Sequence, residues 1–126
     1  MSILGIGLDL ERVDRFDPAA SKGGEGLLRE VLTTAELAYC AGMRRPAAFY
    51  AVRFAAKEAL FKALGTGKRG SMSWRDVEVV HDALDKPSLL LTGESRAIAD
   101  RMGVTRIHVS LTHTDDYAAA VVVLEG

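Results

Sequence analysis

The sequence predicts an α+β fold: a mostly antiparallel sheet packed with one long helix and several short helices. Three observations point there. The opening "SILGIGLDL" alternates with a period of two, as a strand does. The closing "TRIHVSL" and "YAAAVVVLE" do the same on either side of a polar turn, "THTDD". Between these ends, "RPAAFYAVRFAAKEALFKALGTG" is rich in Ala, Leu, Lys and Glu, the composition of a long helix.

Each element follows from local chemistry. In the first strand Leu4, Ile6, Leu8 and Leu10 share one face and are expected to anchor it in the core. Gly5, Gly7 and Asp9 lie on the other face, which the glycines leave open for a ligand to approach the backbone. "ERVDRF" reads as the opening turns of a helix, and "DPAASKGGEG" as a loop. "LLREVLTTAELAYCAGM" supplies one or two short helices, with Thr33 and Glu36 at capping-box spacing and Gly42 as a stop. In the long helix Pro46 suits the first turn and Gly65 the end. "GKRGSMS" reads as a mobile glycine loop. "VEVVH" and "PSLLLTG" form a hairpin through "DALDK", and "ESRAIADRM" is a helix stopped by Gly103.

Composition narrows the function. The chain has 126 residues, 48% hydrophobic and 26% charged, the size of one domain spanning 1–126. Its net charge of −1 argues against broad nucleic-acid affinity. A single cysteine, Cys40, forms no internal disulfide and is expected to be a small buried or half-buried residue near a helix end. No signal peptide and no run of about 20 apolar residues is read, which predicts a soluble, cytoplasmic protein without membrane association. "GIGLDL" has Leu10 where a dinucleotide fingerprint needs glycine, and "GTGKRG" has Arg69 where a P-loop needs Ser or Thr.

The remaining chemistry centres on three carboxylate and lysine positions. Phe54, Glu58 and Lys62 lie along one side of the long helix, at about 100° per residue. Glu58 and Lys62 read either as an ordinary i,i+4 pair or as working groups. Asp9 reads either as a helix N-cap or as a ligand. Asp9 and Glu58 together suit Mg²⁺, which takes one or two carboxylates and completes its shell with water and substrate phosphates. Lys62 would then neutralise the same phosphates. Ser110, Thr112, His113 and Thr114 around the last turn read either as a polar turn with an exposed histidine or as a cluster of hydrogen-bond donors for phosphate or ribose. Arg12 and Arg15, three apart on the expected helix, read as an exposed face or as a patch for an acidic partner.

Three blocks, "GIGLDLERVDRF", "RFAAKEALFKALGTG" and "HVSLTHTDDYAAAVVVLE", resemble the signature blocks of the holo-acyl-carrier-protein synthases, the small phosphopantetheinyl transferases. The resemblance covers nearly the whole chain and is weakest at 17–30 and 66–76. It implies the fold of that family and transfer of 4′-phosphopantetheine from coenzyme A to a serine of apo-acyl carrier protein. Adenosine 3′,5′-bisphosphate is then released and Mg²⁺ is required, in fatty-acid or polyketide synthesis. A homotrimer with active sites at subunit interfaces is also implied. By the same resemblance Asp9 and Glu58 match metal ligands, and Lys62 the lysine near the coenzyme A phosphates. Gly65 begins the glycine turn beside the substrate. His113 and Thr114 match coenzyme A contacts from the neighbouring subunit. Arg15 matches the arginine that meets the acidic carrier, with Arg12 beside it. Arg45 and Arg53 are further candidates for the nucleotide phosphates. The sequence departs from the pattern at Asp85, where glycine is common, and in "DPAASKGGEG", where a more basic helix is usual.

Overall fold

The computed structural model describes residues 1–19 and 22–126. Strand β1 (Ile3–Arg12) is followed by a 3-10 turn (Val13–Phe16), then helices α1 (Gly24–Val31), α2 (Thr34–Ala41) and α3 (Pro46–Ala63). A short 3-10 turn (Trp74–Asp76) leads into β2 (Val77–His81) and β3 (Pro87–Leu91). Helix α4 (Gly93–Met102), β4 (Arg106–His113) and β5 (Tyr117–Glu125) complete the chain. All strand pairs are antiparallel, in two sheets: β1-β5-β4, and β2-β3 as a separate hairpin.

Helix α3 lies on the inner face of the three-stranded sheet. Ala118, Ala120, Val122 and Leu124 of β5 are buried there with Ala55, Ala56, Ala59 and Leu60 of α3. The facing of β1 is the reverse of the sequence expectation. Leu4, Ile6, Leu8 and Leu10 are exposed, Leu8 and Leu10 at 64% each, and the glycine face is the buried one. A Cβ on Gly5 would stand 2.0 Å from the Ala63 carbonyl oxygen, and one on Gly7 1.7 Å from that of Ala59. The glycines therefore admit the backbone of α3, where a ligand was expected. Alternation assigns residues to two faces without saying which face meets the core, and here backbone proximity outweighs side-chain apolarity.

Other expectations meet the structure with local adjustments. β1 continues through Glu11 and Arg12, so "ERVDRF" is a strand end and a single 3-10 turn. The loop expected at 17–26 is shorter, since α1 begins at Gly24; Ala20 and Ser21 lie outside the described residues. The Thr33–Glu36 capping box forms, Pro46 opens α3, and Gly65 follows it with φ +80°. Gly103 closes α4 in the left-handed region. Asp85 holds φ +63°, the geometry that glycine serves without strain. In the segment read as a mobile glycine loop, the Phe61 carbonyl accepts from the Thr66 and Gly67 amides at 3.3 and 3.2 Å, and the Met72 amide donates to the Arg69 carbonyl at 3.1 Å.

One buried ion pair joins the helices to the hairpin. The Lys57 ammonium, fully buried, donates to Glu36 at 2.6 Å and to the Val31 carbonyl at 2.7 Å. Glu36 also accepts from the Thr33 and Val79 amides at 2.9 and 2.8 Å. A capping carboxylate thus ties α1, α2, α3 and β2 together. Burial pulls the Lys57 pKa down, against the opposing pull of Glu36.

Candidate active site

The geometry of α3 on the sheet sorts the candidate residues into two groups. Asp9, Glu58, Lys62 and Gly65 gather at the β1 edge and the C-terminal half of α3. Arg45, Arg53, His113 and Thr114 gather at the N-terminal half and the β4–β5 turn. Asp9 stands opposite Ala120, and Ala120 opposite Leu111, so β5 separates β1 from β4 along this row. Two inter-strand steps amount to about 10 Å.

In the first group Asp9 is buried inside β1, three residues before the strand ends, which rules out a helix cap. The Lys62 ammonium donates to Asp9 Oδ1 and to the Leu8 carbonyl, each at 3.0 Å. Its bonded partner is therefore across the sheet rather than Glu58 one turn back. Asp9 Oδ2 is buried and has no hydrogen-bond partner. The Glu58 carboxyl is pushed above the usual carboxylate range, by burial first and then by the Asp9 charge; Lys62 and Arg15 pull it back. Gly65 turns the chain away just beyond Lys62, its amide donating to the Lys62 carbonyl at 3.0 Å.

The sequence reading missed Glu11, which belongs to this group. It follows Asp9 by two, hence on the same face of β1, and alternation alone is the signal that places it there. Burial, then the Asp9 carboxylate, push it up to about 8, while Arg15 opposes. Arg15 donates to Glu11 at 3.1 Å, and its guanidinium lies 5.3 Å from the Phe54 ring centroid. Arg12, now the last strand residue, is exposed and pairs with Asp14.

Arg53 and His113 of the second group line a cavity of about 190 Å³ with Tyr39, Phe49, His81 and Asp85 among others. Arg53 is buried, with Nη1 on the Phe49 carbonyl at 3.0 Å and its guanidinium 4.6 Å from the Tyr39 ring centroid. Its Nε has no partner. Tyr39 stacks on His81 at 4.9 Å, and His113 packs against Phe49 at 5.1 Å. Arg45, at φ +58°, pairs with Asp115 of the last turn. The Thr114 hydroxyl is engaged in that turn, accepting from the Asp116 and Tyr117 amides at 3.2 and 3.0 Å.

Chemically, the first group offers oxygen donors beside a cation and the second offers cationic and aromatic surface. Among the described residues no three His, Cys, Asp or Glu side chains are arranged to hold a metal by themselves. The family model of the 4′-phosphopantetheinyl transferase superfamily matches residues 5–122. The chain belongs to the 4′-phosphopantetheinyl transferase superfamily. It is 45% identical over 123 residues to a holo-[acyl-carrier-protein] synthase of Geotalea daltonii, covering 98% of each chain. It is 46% identical to one from Geobacter sulfurreducens, again covering 98% of each. The crystal structure of the Neisseria meningitidis holo-[acyl-carrier-protein] synthase superposes with a TM-score of 0.88 at 35% identity, over 99% of this chain and all of that one. The Bacillus anthracis holo-(acyl-carrier-protein) synthase, solved in complex with CoA (3′,5′-ADP), superposes with a TM-score of 0.77 at 34% identity, covering 97% and 96% of the two chains. This phosphopantetheinyl transferase is accordingly an enzyme with the α+β fold of those synthases.

Proposed function

We propose that the chain transfers 4′-phosphopantetheine from coenzyme A to a serine hydroxyl of an apo-acyl carrier protein, releasing adenosine 3′,5′-bisphosphate, for fatty-acid or polyketide synthesis. The observation that carries this reading is the orphaned Asp9 Oδ2, buried beside Glu58 and the Lys62 ammonium. A buried carboxylate oxygen without a partner is costly, and a hard cation would satisfy it. Asp9 and Glu58 would hold Mg²⁺, and the ion, when bound, supplies neutralisation of the coenzyme's pyrophosphate charge.

The residues of the chain do the rest. Lys62 stabilises charge developing on the phosphoryl and leaving-group oxygens as the serine oxygen attacks phosphorus. Glu58, one helical turn before Lys62, accepts the serine proton. Gly65 lets the substrate pass close to the backbone. Arg53, with its unpartnered Nε, takes the 3′-phosphate region with Arg45 and His113, and Thr114 holds the turn that presents His113. Arg15 and Arg12 receive the carrier protein.

The two groups belong, in this reading, to neighbouring copies in a homotrimer. The outer face of the sheet supports it: Leu4, Ile6, Leu8 and Leu10 stand exposed beside the half-buried Ala119, Val121 and Val123, and no element among the described residues covers them. The domain spans 1–126 and works in the cytoplasm; no helix is long and apolar enough to cross a membrane, and nucleic acid is not a partner. Intact-mass measurement of apo-acyl carrier protein incubated with coenzyme A, MgCl2 and the enzyme tests the proposal. A phosphopantetheine mass increment is expected, and it should fall about 100-fold or more in initial rate with Glu58→Gln or Lys62→Ala. Asp9→Asn should abolish the response to Mg²⁺. Full Mg²⁺-dependent transfer by Asp9→Asn and Glu58→Gln would overturn the assignment.

A further inference from the structure

The segment that follows the catalytic helix is charged in one sense only. Between Glu58 and Asp76 stand Lys62, Lys68, Arg69 and Arg75, with no acidic residue, in a chain whose net charge is −1. Lys62 is engaged by Asp9. Lys68, Arg69 and Arg75 are exposed and form no ion pair among the described residues.

The loop that carries these cations is hydrogen-bonded at both ends. Gly67 and Gly70 both hold positive φ, and the loop between them is tied at Phe61 and Arg69. The Lys68 ammonium lies 5.8 Å from the Trp74 ring centroid, within cation–π range. Trp74 packs on Phe54 at 4.9 Å and on Phe61 at 5.2 Å. The Arg15 guanidinium lies 5.3 Å from the Phe54 ring centroid. A continuous row results: Arg15, Phe54, Trp74, Lys68. Glu58 stands between Phe54 and Phe61 in the helix, on the adjoining flank.

We infer that loop 66–70, with Lys68 as its principal contact, is a second arm of the surface that receives the acceptor protein, opposite Arg15, and that the partner's complementary face is acidic. The inference rests on the transferase reading above. A small polyphosphate needs donors that converge on one point, whereas these cations are strung along an exposed loop and turn, as an extended acidic surface requires. Their effect is on encounter rate and orientation, since exposed charges steer more than they hold. Ordering the loop in advance lowers the entropic cost of docking.

The test measures the Kd of an apo-acyl carrier protein for the enzyme by biolayer interferometry at two salt concentrations, and the Kd of coenzyme A by calorimetry. Lys68→Glu/Arg69→Glu is expected to weaken carrier binding about tenfold or more and to flatten its salt dependence, with Lys68→Arg close to wild type. Coenzyme A affinity stays unchanged. Carrier Kd within twofold of wild type overturns the inference. So does a matching loss of coenzyme A affinity, which would give the loop to the coenzyme. Binding is read without turnover, so failure of wild-type transfer with charge-sensitive carrier binding refutes the transferase reading alone. Failure of wild type to bind the carrier refutes the docking surface.

Discussion

Gly7 and Asp9 are two residues apart on one face of β1, and they work in opposite ways. Gly7 lets α3 approach until no Cβ fits; Asp9, one step on, meets the flank of the helix where Lys62 reaches across to it. Gly7→Ala must displace backbone, because the obstructing atom is the Ala59 carbonyl oxygen rather than a flexible side-chain tip. A loss of about 3 kcal/mol or more in urea unfolding is expected. Cys40 offers a second test at this scale. It is fully buried, and burial raises its thiol from 9.0 to about 11. The folded chain therefore keeps a proton that the unfolded chain loses, so stability should fall as pH rises from 9 to 11. Urea titrations across that range check this, and the slope should be shallower in Cys40→Ala. The native thiol should also resist alkylation at pH 9 and react in urea.

At the scale of elements, the position of α3 is set from two sides. The sheet holds it through the glycines and alanines, and Glu36–Lys57 holds it against α1, α2 and β2. Lys57→Met leaves the Glu36 carboxylate buried without its cation, and should cost about 3–5 kcal/mol in chemical denaturation. Replacing both, Glu36→Leu with Lys57→Met, should cost less than the sum of the two single changes, because no charge remains buried. The Thr33–Glu36 cap was legible as a local motif. The reach of Glu36 to Lys57 and Val79 was not, because those partners lie 21 and 43 positions away. The same holds for Lys62, where helical spacing suggested Glu58 and the folded chain supplies Asp9.

At the scale of the whole molecule, the two groups of candidate residues and the exposed apolar sheet face bear on the same question. If copies share sites, Glu58→Gln and His113→Ala chains co-expressed in one assembly should regain transfer that neither homogeneous variant shows, because mixed interfaces pair an intact first group with an intact second. Activity of separated heteromers checks this, and no recovery would make each chain's site self-contained. Leu8→Glu should disperse the assembly in sedimentation velocity while the far-UV spectrum is retained, since Leu8 lies outside the core of the single chain.

The sequence by itself determined the order of the main strands and helices, because period-two and helical patterns, caps and glycine stops are local properties; it misread the stretch after β1, where the strand runs on to Arg12 and α1 starts at Gly24. It also marked Asp9, Glu58 and Lys62 as candidates and, through the three blocks, carried the family. Tertiary structure alone decided which face of β1 is buried, since alternation is symmetric and only the approach of α3 breaks the symmetry. It decided that Arg53 goes inside against Tyr39, that Glu11 joins Asp9 and Glu58, and that Lys68 rests on Trp74. Each of these depends on a contact between segments distant in the chain, and such contacts are fixed by packing rather than by neighbouring residues.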